Sequence, residues 1–516
     1  MKPFSAPFGE SFLRGNVLQA VVVVACSAGF YLFGYDQGIA NALLSNADFF
    51  VQYPVMNDAT KQGAILGLFV IGAMGGCIAN SAIGNRLGRR PVLMAAALGT
   101  LLGAGLQSGS RNLGMFIVSR LINGFFVGVL TSIVPPYMGE VSRTNIRGLF
   151  VSLDLVLGSA GLMTAFWVSY GFRNTPGPMG WRMPLALQAM FVLITIVCIP
   201  FCPESPRWLM EAGRRDESLH VLTRLHGREY AEKAAAEIAE AIALEHATAV
   251  RSWWAIFQNN KQCFRYRTLL AVSVNSFQQF TGVNMATYYA GTIFMTALAM
   301  PPEKGQLALG GLGISGHVAC IFGCFVMIEH LGRVRTMMLG AATQSIAMIL
   351  LAGGIAHIDV PAGGYVGAVG LYLFIMAFSA TWLPCGWLYG AEVTPLAIRL
   401  KAAALGNTLQ YAFNFMIVQV TPIGITNIGY KYYIPFAISN AVLVPLLYFY
   451  FPEISQLSLE EIDELFSDGR VYMRHSPSEK IGHAHLDHAL EAGKPVNAPE
   501  GSIEGEKSRG EFVEHQ

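Results

Sequence analysis

Formal charge is the scarcest thing in this chain. Only 13% of its 516 residues are Asp, Glu, Lys or Arg, against roughly 25% in soluble domains. With 53% hydrophobic residues and a mean hydropathy of +0.45, that shortage excludes an ordinary soluble protein and identifies a polytopic membrane protein. A net charge of +1 gives no basic surface for nucleic acid. There is no P-loop to support ATP-driven transport, and no Asn-x-Ser/Thr acceptor. Nothing resembles a nucleophile, metal site or cofactor loop, so neither enzyme chemistry nor a bound cofactor is expected. Seven of the eight cysteines sit in apolar runs. Cys198/Cys202 and Cys320/Cys324 share helix faces without histidine or carboxylate company, which reads as small core residues. His483, His485 and His488 fall in a polar tract and read as a flexible surface segment rather than a metal site. The first apolar run is too long for a signal peptide, and no small-residue cleavage site follows it, so it is expected to stay as an anchor.

What is present is a series of long apolar runs. Hydropathy gives about twelve spans. The first six lie near 17–44, 61–83, 91–109, 113–137, 148–171 and 183–202; the second six lie near 268–298, 308–330, 334–356, 364–391, 400–424 and 432–451. Residues 1–16 precede them, a polar section at 203–267 separates the sets, and a polar tail occupies 452–516. The stretch 229–250 is rich in Ala, Glu and Leu/Ile with no Gly or Pro, predicting surface helix. Ser458 with Glu461 forms a capping-box signature ahead of Ile462, Leu465 and Phe466, predicting a short amphipathic helix. Beyond Ser467 the composition predicts disorder. Basic residues flank the spans unevenly, eleven on one side against six on the other. That bias places both termini and the middle section in the cytoplasm.

One stretch stands out, Phe33-Gly34-Tyr35-Asp36-Gln37-Gly38. Asp36 is the only formal charge in 17–44. An ionisable group inside such a span is costly, so it faces a wet cavity or a partner charge. The expectation is a buried, titratable site.

Three marks recur in order. Gly88-Arg89-Arg90 returns as Gly332-Arg333-Val334-Arg335, 244 residues on. Glu140, seven before Arg147, returns as Glu392, seven before Arg399, at 252; Pro203-Glu204 returns as Pro452-Glu453, at 249. Six spans per half is an even number, so both halves insert alike. This predicts an all-α membrane fold of two six-helix bundles with a solute site between them at mid-depth. The repeated Glu and Arg fall at the cytoplasmic ends, where ion pairs between neighbouring helices would hold that side closed and break when it opens.

These residues carry a resemblance. The chain is similar to the major facilitator superfamily and, within it, to the sugar porter family. The marks are Gly34-Tyr35-Asp36, Asn85-Arg86-Leu87-Gly88-Arg89-Arg90, Ser119-Arg120, Pro203-Glu204-Ser205-Pro206-Arg207-Trp208-Leu209, Gln278-Gln279-Phe280-Thr281-Gly282-Val283-Asn284 and Pro452-Glu453. Phe33–Gly38, Trp387-Leu388-Tyr389-Gly390-Ala391-Glu392 and Ser458–Asp463 further resemble the fungal plasma-membrane branch, whose members carry hexoses, pentoses, disaccharides, polyols or quinate. The resemblance implies solute contacts at Gln278, Gln279, Asn284, Trp387, Gln410 and Asn414, and an extracellular gate at Tyr288 and Tyr289. It implies a cytoplasmic gate at Arg89, Glu140, Arg147, Glu204, Arg207, Glu329, Arg333, Glu392, Arg399 and Glu453. Amides both donate and accept, as sugar hydroxyls require, although buried amides also serve as helix–helix contacts. Asp36 aligns with the family's proton acceptor and Arg120 with its arginine partner. Separating that pair would switch Asp36 between releasing and holding a proton.

Departures narrow the expectation. Leu155 stands where the family has a glutamine, with Asp154 beside it, and Leu383 replaces a glycine four residues before Trp387. Lost amide and added bulk argue against assuming glucose. Asn85 replaces an aspartate, and Asp154, two turns from Arg147, reads as half of a structural ion pair. The expected function is proton-coupled symport of a sugar, polyol or similar solute by a monomer in the plasma membrane, with lipid and solute its only partners. An uncoupled facilitator, a nutrient sensor and a secondary-metabolite exporter are the alternatives.

Overall fold

The structure, a computed structural model, describes residues 13–143, 147–248, 252–260, 262–455, 457 and 459–467. In lipid a backbone must satisfy its own hydrogen bonds, and apolar runs of this length do so as helices. Twelve result. The first half comprises α1 (Gly15–Leu44), α2 (Ala59–Leu87), α3 (Arg89–Ser108), α4 (Leu113–Val141), α5 (Arg147–Phe172) and α6 (Met179–Cys198). In the second half α7 is broken into α7a (Phe264–Phe280) and α7b (Val283–Thr292), and α8 runs Pro302–Leu331. Then come α9 (Arg333–Ala356), α10a (Pro361–Ala380), α10b (Trp382–Val393), α11 (Arg399–Ile428) and α12 (Ile434–Tyr450).

The internal repeat is a repeat of packing. In the first half α1 packs on α5, α2 on α4, and α3 on α4 and α6. Six helices later α7a packs on α11, α8 on α10a, and α9 on α10a and α12. The halves meet along α2–α11 and α5–α8, equivalent pairs under the same exchange. The α1–α5 crossing is close because Gly34 faces the Gly158 carbonyl directly, where any side chain would collide with backbone.

Three helices, Pro206–Glu211, Arg215–His226 and Arg228–Thr248, form the middle section at what is called here the linker end. His226 ties them to the first half. Its Nδ1 lies 2.8 Å from Gln19 Nε2 on α1 and its Nε2 lies 3.0 Å from the Val141 carbonyl closing α4. Past α12, the helix Leu459–Ser467 buries Ile462 and Phe466 in the second half, and Asp463 pairs at 2.6 Å with the buried Arg267. Ser458 of the capping box, the tail beyond Ser467 with its three histidines, and the side chains of Asn85 and Arg147 lie outside the described residues.

Candidate functional site: a cavity between the halves

All six expected solute contacts line one cavity. The break in α7 sets this up. Gly282, at φ +96°, ends α7a and restarts the chain as α7b, so Gln278 and Gln279 on one piece and Asn284 on the other face the same space. Trp387 on α10b and Gln410 and Asn414 on α11 complete the second half's wall. The first half contributes Phe30, Phe33 and Gln37 from α1 and Leu155 and Ser159 from α5. Both departures from the family pattern, Leu155 and Leu383, face this cavity.

The amides are partly engaged. Gln278 Nε2 donates to the Trp382 carbonyl at 3.2 Å, and Asn284 Nδ2 donates to Gln279 Oε1. Gln278 Oε1 and Asn414 Oδ1 are buried without a hydrogen-bond partner. A buried acceptor left unpaired costs free energy, so the wall is set to receive hydroxyl donors. Trp387 stands edge-on to Phe30 across the halves, ring centroids 6.0 Å apart, and supplies an aromatic surface beside the amides.

Asp36 is fully buried one residue before the cavity-lining Gln37. Its partner differs from expectation. Asn123 Nδ2 donates to Asp36 Oδ1 at 3.1 Å and lies 3.3 Å from Gln188 Oε1, while Asp36 Oδ2 has no hydrogen-bond partner. Arg120 is equally buried but turns elsewhere. Its Nη2 donates to the Leu66 carbonyl at 2.9 Å and its guanidinium sits 5.2 Å from the Phe69 ring centroid. In this conformation aspartate and arginine share the first half's interior without forming an ion pair.

Asp154 is buried and accepts from Ser27 Oγ on α1 at 3.2 Å, a neutral partner supplied by the helix crossing. The side chain of Arg147, the cation expected beside it, lies outside the described residues.

At the end opposite the linker, Asn41 joins α1 to α7b, donating to the Thr287 carbonyl at 2.7 Å and accepting from Gly291 N at 2.8 Å. Tyr288 and Tyr289 are buried on the same short helix, and Tyr289 donates to the Val418 carbonyl at 2.9 Å. Gln419 on α11 donates to the Thr60 carbonyl of α2 at 2.9 Å, and Arg173 pairs with Glu303 at 3.5 Å.

At the linker end the repeated charges form two matching joints. Arg89 holds Glu140 through Nε and Nη2 at 3.1 and 3.0 Å, and Arg333 holds Glu392 the same way at 3.1 and 3.0 Å. Glu204 accepts from the backbone N–H of Arg89 at 2.7 Å and of Arg90 at 3.3 Å, capping α3. Glu453 accepts from Arg333 N and Val334 N, both at 2.9 Å, capping α9. Gly88 and Gly332, at φ +92° and +83°, turn the chain into these caps, and a side chain on either would strike the capping carboxylate. The glutamates thus pair with Arg89 and Arg333, each on a neighbouring helix. Arg399 instead donates to the Thr394 carbonyl at 3.2 and 3.1 Å. Arg207 opens the first middle-section helix, and Glu329 is exposed near the end of α8.

Several partners escaped the sequence reading. Asn123, Gln188, Asn41 and Ser27 carry no local signal. Tyr137 and Tyr389 do, since each stands three residues before its repeated glutamate; they donate to the Pro203 and Pro452 carbonyls at 2.5 and 3.1 Å.

Two exchange-related six-helix bundles around a central, largely apolar cavity that carries a cluster of amides define a membrane transporter of the major facilitator superfamily. A structure of the proton:xylose symporter XylE, bound to 6-bromo-6-deoxy-D-glucose, superposes with a TM-score of 0.71 at 24% identity, covering 87% of this chain and 99% of that one. The chain belongs to the sugar (and other) transporter family, whose model matches residues 21–466. It is 31% identical to the sugar transporter STL1 of Saccharomyces cerevisiae over 88% of this chain and 82% of that protein. It is 30% identical to the high-affinity fructose transporter ght6 of Schizosaccharomyces pombe over 87% of each.

Proposed function

We propose that this chain imports a sugar, polyol or similar small polyhydroxylated solute together with a proton, by alternating access, in the plasma membrane. The linker end and both termini then face the cytoplasm. The observation that carries the reading is the convergence of Gln278, Gln279, Asn284, Trp387, Gln410 and Asn414 on one cavity with unpaired amide oxygens. Hydroxyls that both donate and accept satisfy such a wall. Leu155 and Leu383 take up space and withdraw an amide, which favours a solute more compact or less hydroxylated than glucose. The sugar-transporter names of the relatives support the same class.

Asp36 supplies the coupling. A dry carboxylate with one neutral donor carries its proton, because an unpaired buried charge costs several kcal/mol. When rocking of the halves brings water or Arg120 to it, the proton leaves. No metal or organic cofactor enters this cycle; the proton is the coupling ion. Tyr288 and Tyr289 on α7b lie where the outer side closes.

Reconstituted vesicles test the reading. With acid outside, a labelled panel of pentose, hexose, polyol, disaccharide and quinate should show concentrative uptake of at least one member, abolished by a protonophore. Gln279→Ala should raise KM by tenfold or more at normal protein abundance, since it removes the acceptor for Asn284 as well as a solute contact. Uptake of no candidate above equilibrium would refute the proposal.

A further inference from the structure

Between Lys304 and Glu329, α8 carries one imidazole, His317, half-buried on the wall of the cavity. It meets the first half there. Ser159 Oγ lies 2.7 Å from the Val156 carbonyl and 2.9 Å from His317 Nδ1. A hydroxyl has one proton to give. With that proton on the Val156 carbonyl, the Nδ1–H of His317 must donate to Ser159. In that arrangement Nε2 is a bare acceptor in the neutral ring and a second N–H in the cation.

The surroundings make that difference matter. Among the described residues that line the cavity none is acidic, and His317 alone is able to carry positive charge. Asp36 lies behind Gln37, outside the lining set. Ser159 from α5 is the group bonded to His317, and the polar residues that share the cavity wall with it, among them Gln37 on α1, Ser379 on α10a and Gln410 on α11, are uncharged at neutral pH. Ser159 also stands one helical turn beyond Leu155. The polar function withdrawn at Leu155 therefore returns on the same wall, from the other half, as a titratable ring.

Building on the proposed function, we infer that His317 reads the solute and extends the range of this cavity from neutral polyhydroxylated compounds to hydroxy-carboxylates. Uncharged, its Nε2 accepts a solute hydroxyl. Charged, it donates to a solute carboxylate in a charge-assisted hydrogen bond, the stronger kind.

The full chain in lipid nanodiscs tests this by calorimetry with two probes, xylitol and xylonate, whose carboxylate stays ionised throughout. Acidification from pH 7.5 to 5.5 increases the charged fraction of the ring. The ratio of xylonate to xylitol affinity should rise about tenfold or more over that interval, and His317→Gln should hold the ratio constant. Using the ratio cancels any protonation of Asp36 common to both ligands. A second measurement needs no variant: near pH 6.5 the wild-type chain should take up more protons on binding xylonate than on binding xylitol. An equal rise of the ratio in His317→Gln, or equal proton uptake for the two probes, overturns the inference. Xylitol binding with no response of xylonate to pH overturns it alone, whereas failure to bind either probe, together with every sugar and polyol of the uptake panel, overturns the proposed function with it.

Discussion

Replacing Asp36 by Asn separates a coupled carrier from a facilitated one. Asparagine keeps the shape of the acid and an oxygen at Oδ1 to receive the Asn123 amide, now 3.1 Å away. It is neutral, so the buried site gains no charge, and the fold should survive. What it loses is the exchangeable proton. One carboxylate per cycle carries one proton, and 1.4 kcal/mol corresponds to tenfold in concentration. At zero membrane potential, a neutral solute should therefore accumulate about tenfold per unit of imposed pH gradient, or roughly hundredfold across two units. Asp36→Asn should bring the inside-to-outside ratio to about one while leaving solute exchange in place, because the variant resembles the permanently loaded carrier. The second membrane acid supplies the control. Asp154, which accepts from Ser27 Oγ, should leave the tenfold slope unchanged when replaced by Asn. The assay is steady-state accumulation of labelled solute in vesicles at stepped pH gradients with the potential clamped. Concentrative uptake by Asp36→Asn would refute the coupling role. A wild-type slope near hundredfold per unit, falling to tenfold in Asp154→Asn, would refute the single-proton assignment.

The linker-end joints make matching predictions. Glu204→Ala and Glu453→Ala each strip charge-assisted bonds from a helix N-terminus, costing about 3 kcal/mol once water replaces part of the loss; the lowered melting points should be similar, and additive in the double variant. Burial raises the Glu204 carboxyl above the usual range, with its bonds to the Ser205, Arg89 and Arg90 amides only partly offsetting this. An acid with a raised folded pKa binds more protons folded than unfolded between the two values, so its contribution is fullest below the unfolded value, about 4.3, and is lost as pH rises through the folded one. Glu204→Gln should flatten thermal stability across that window. Asp463→Ala leaves the Arg267 side chain, 1% exposed, without its carboxylate; a loss of about 2 kcal/mol, discounted for the open Asp463 side, should speed proteolysis just before the last helix.

What the sequence disclosed and what it withheld divide along a physical line. Spans, breaks and repeats are local in the chain. Apolar length marks the helices, Gly88 and Gly332 mark the turns, and three offsets near 250 mark the duplication, so the twelve-helix fold was legible before any coordinates. Solute-facing amides were legible because they cluster in a short stretch and follow a family pattern. Partners across helix crossings were not. Asn123 for Asp36, Ser27 for Asp154 and Ser159 for His317 are 87, 127 and 158 residues distant, and each is fixed by how two helices rotate against one another. The repeated glutamates and arginines suggested ion pairs between neighbouring helices, without saying which arginine meets which glutamate. The structure prefers Arg89, which presents its fork from the neighbouring helix in plane with both carboxylate oxygens.

That preference bears on how such a protein moves. Both bidentate joints, Arg89–Glu140 and Arg333–Glu392, and both glutamate caps lie inside one half, never across the two. They stiffen each bundle at its linker end and leave the bundles free to rock. The contacts that join the two halves at the opposite end are of another kind: Asn41 with α7b, Gln419 with Thr60, and the half-exposed Arg173–Glu303 pair. Each neutral bond is worth about 1 kcal/mol net, and an exposed pair less. Releasing the set therefore costs roughly 3–4 kcal/mol, about the binding energy of a solute held at millimolar affinity. A barrier of that size is one a small polyhydroxylated solute and a proton can bias between them. Strong, charged, repeated bonds hold what must stay rigid, and weak neutral ones sit where the two halves part.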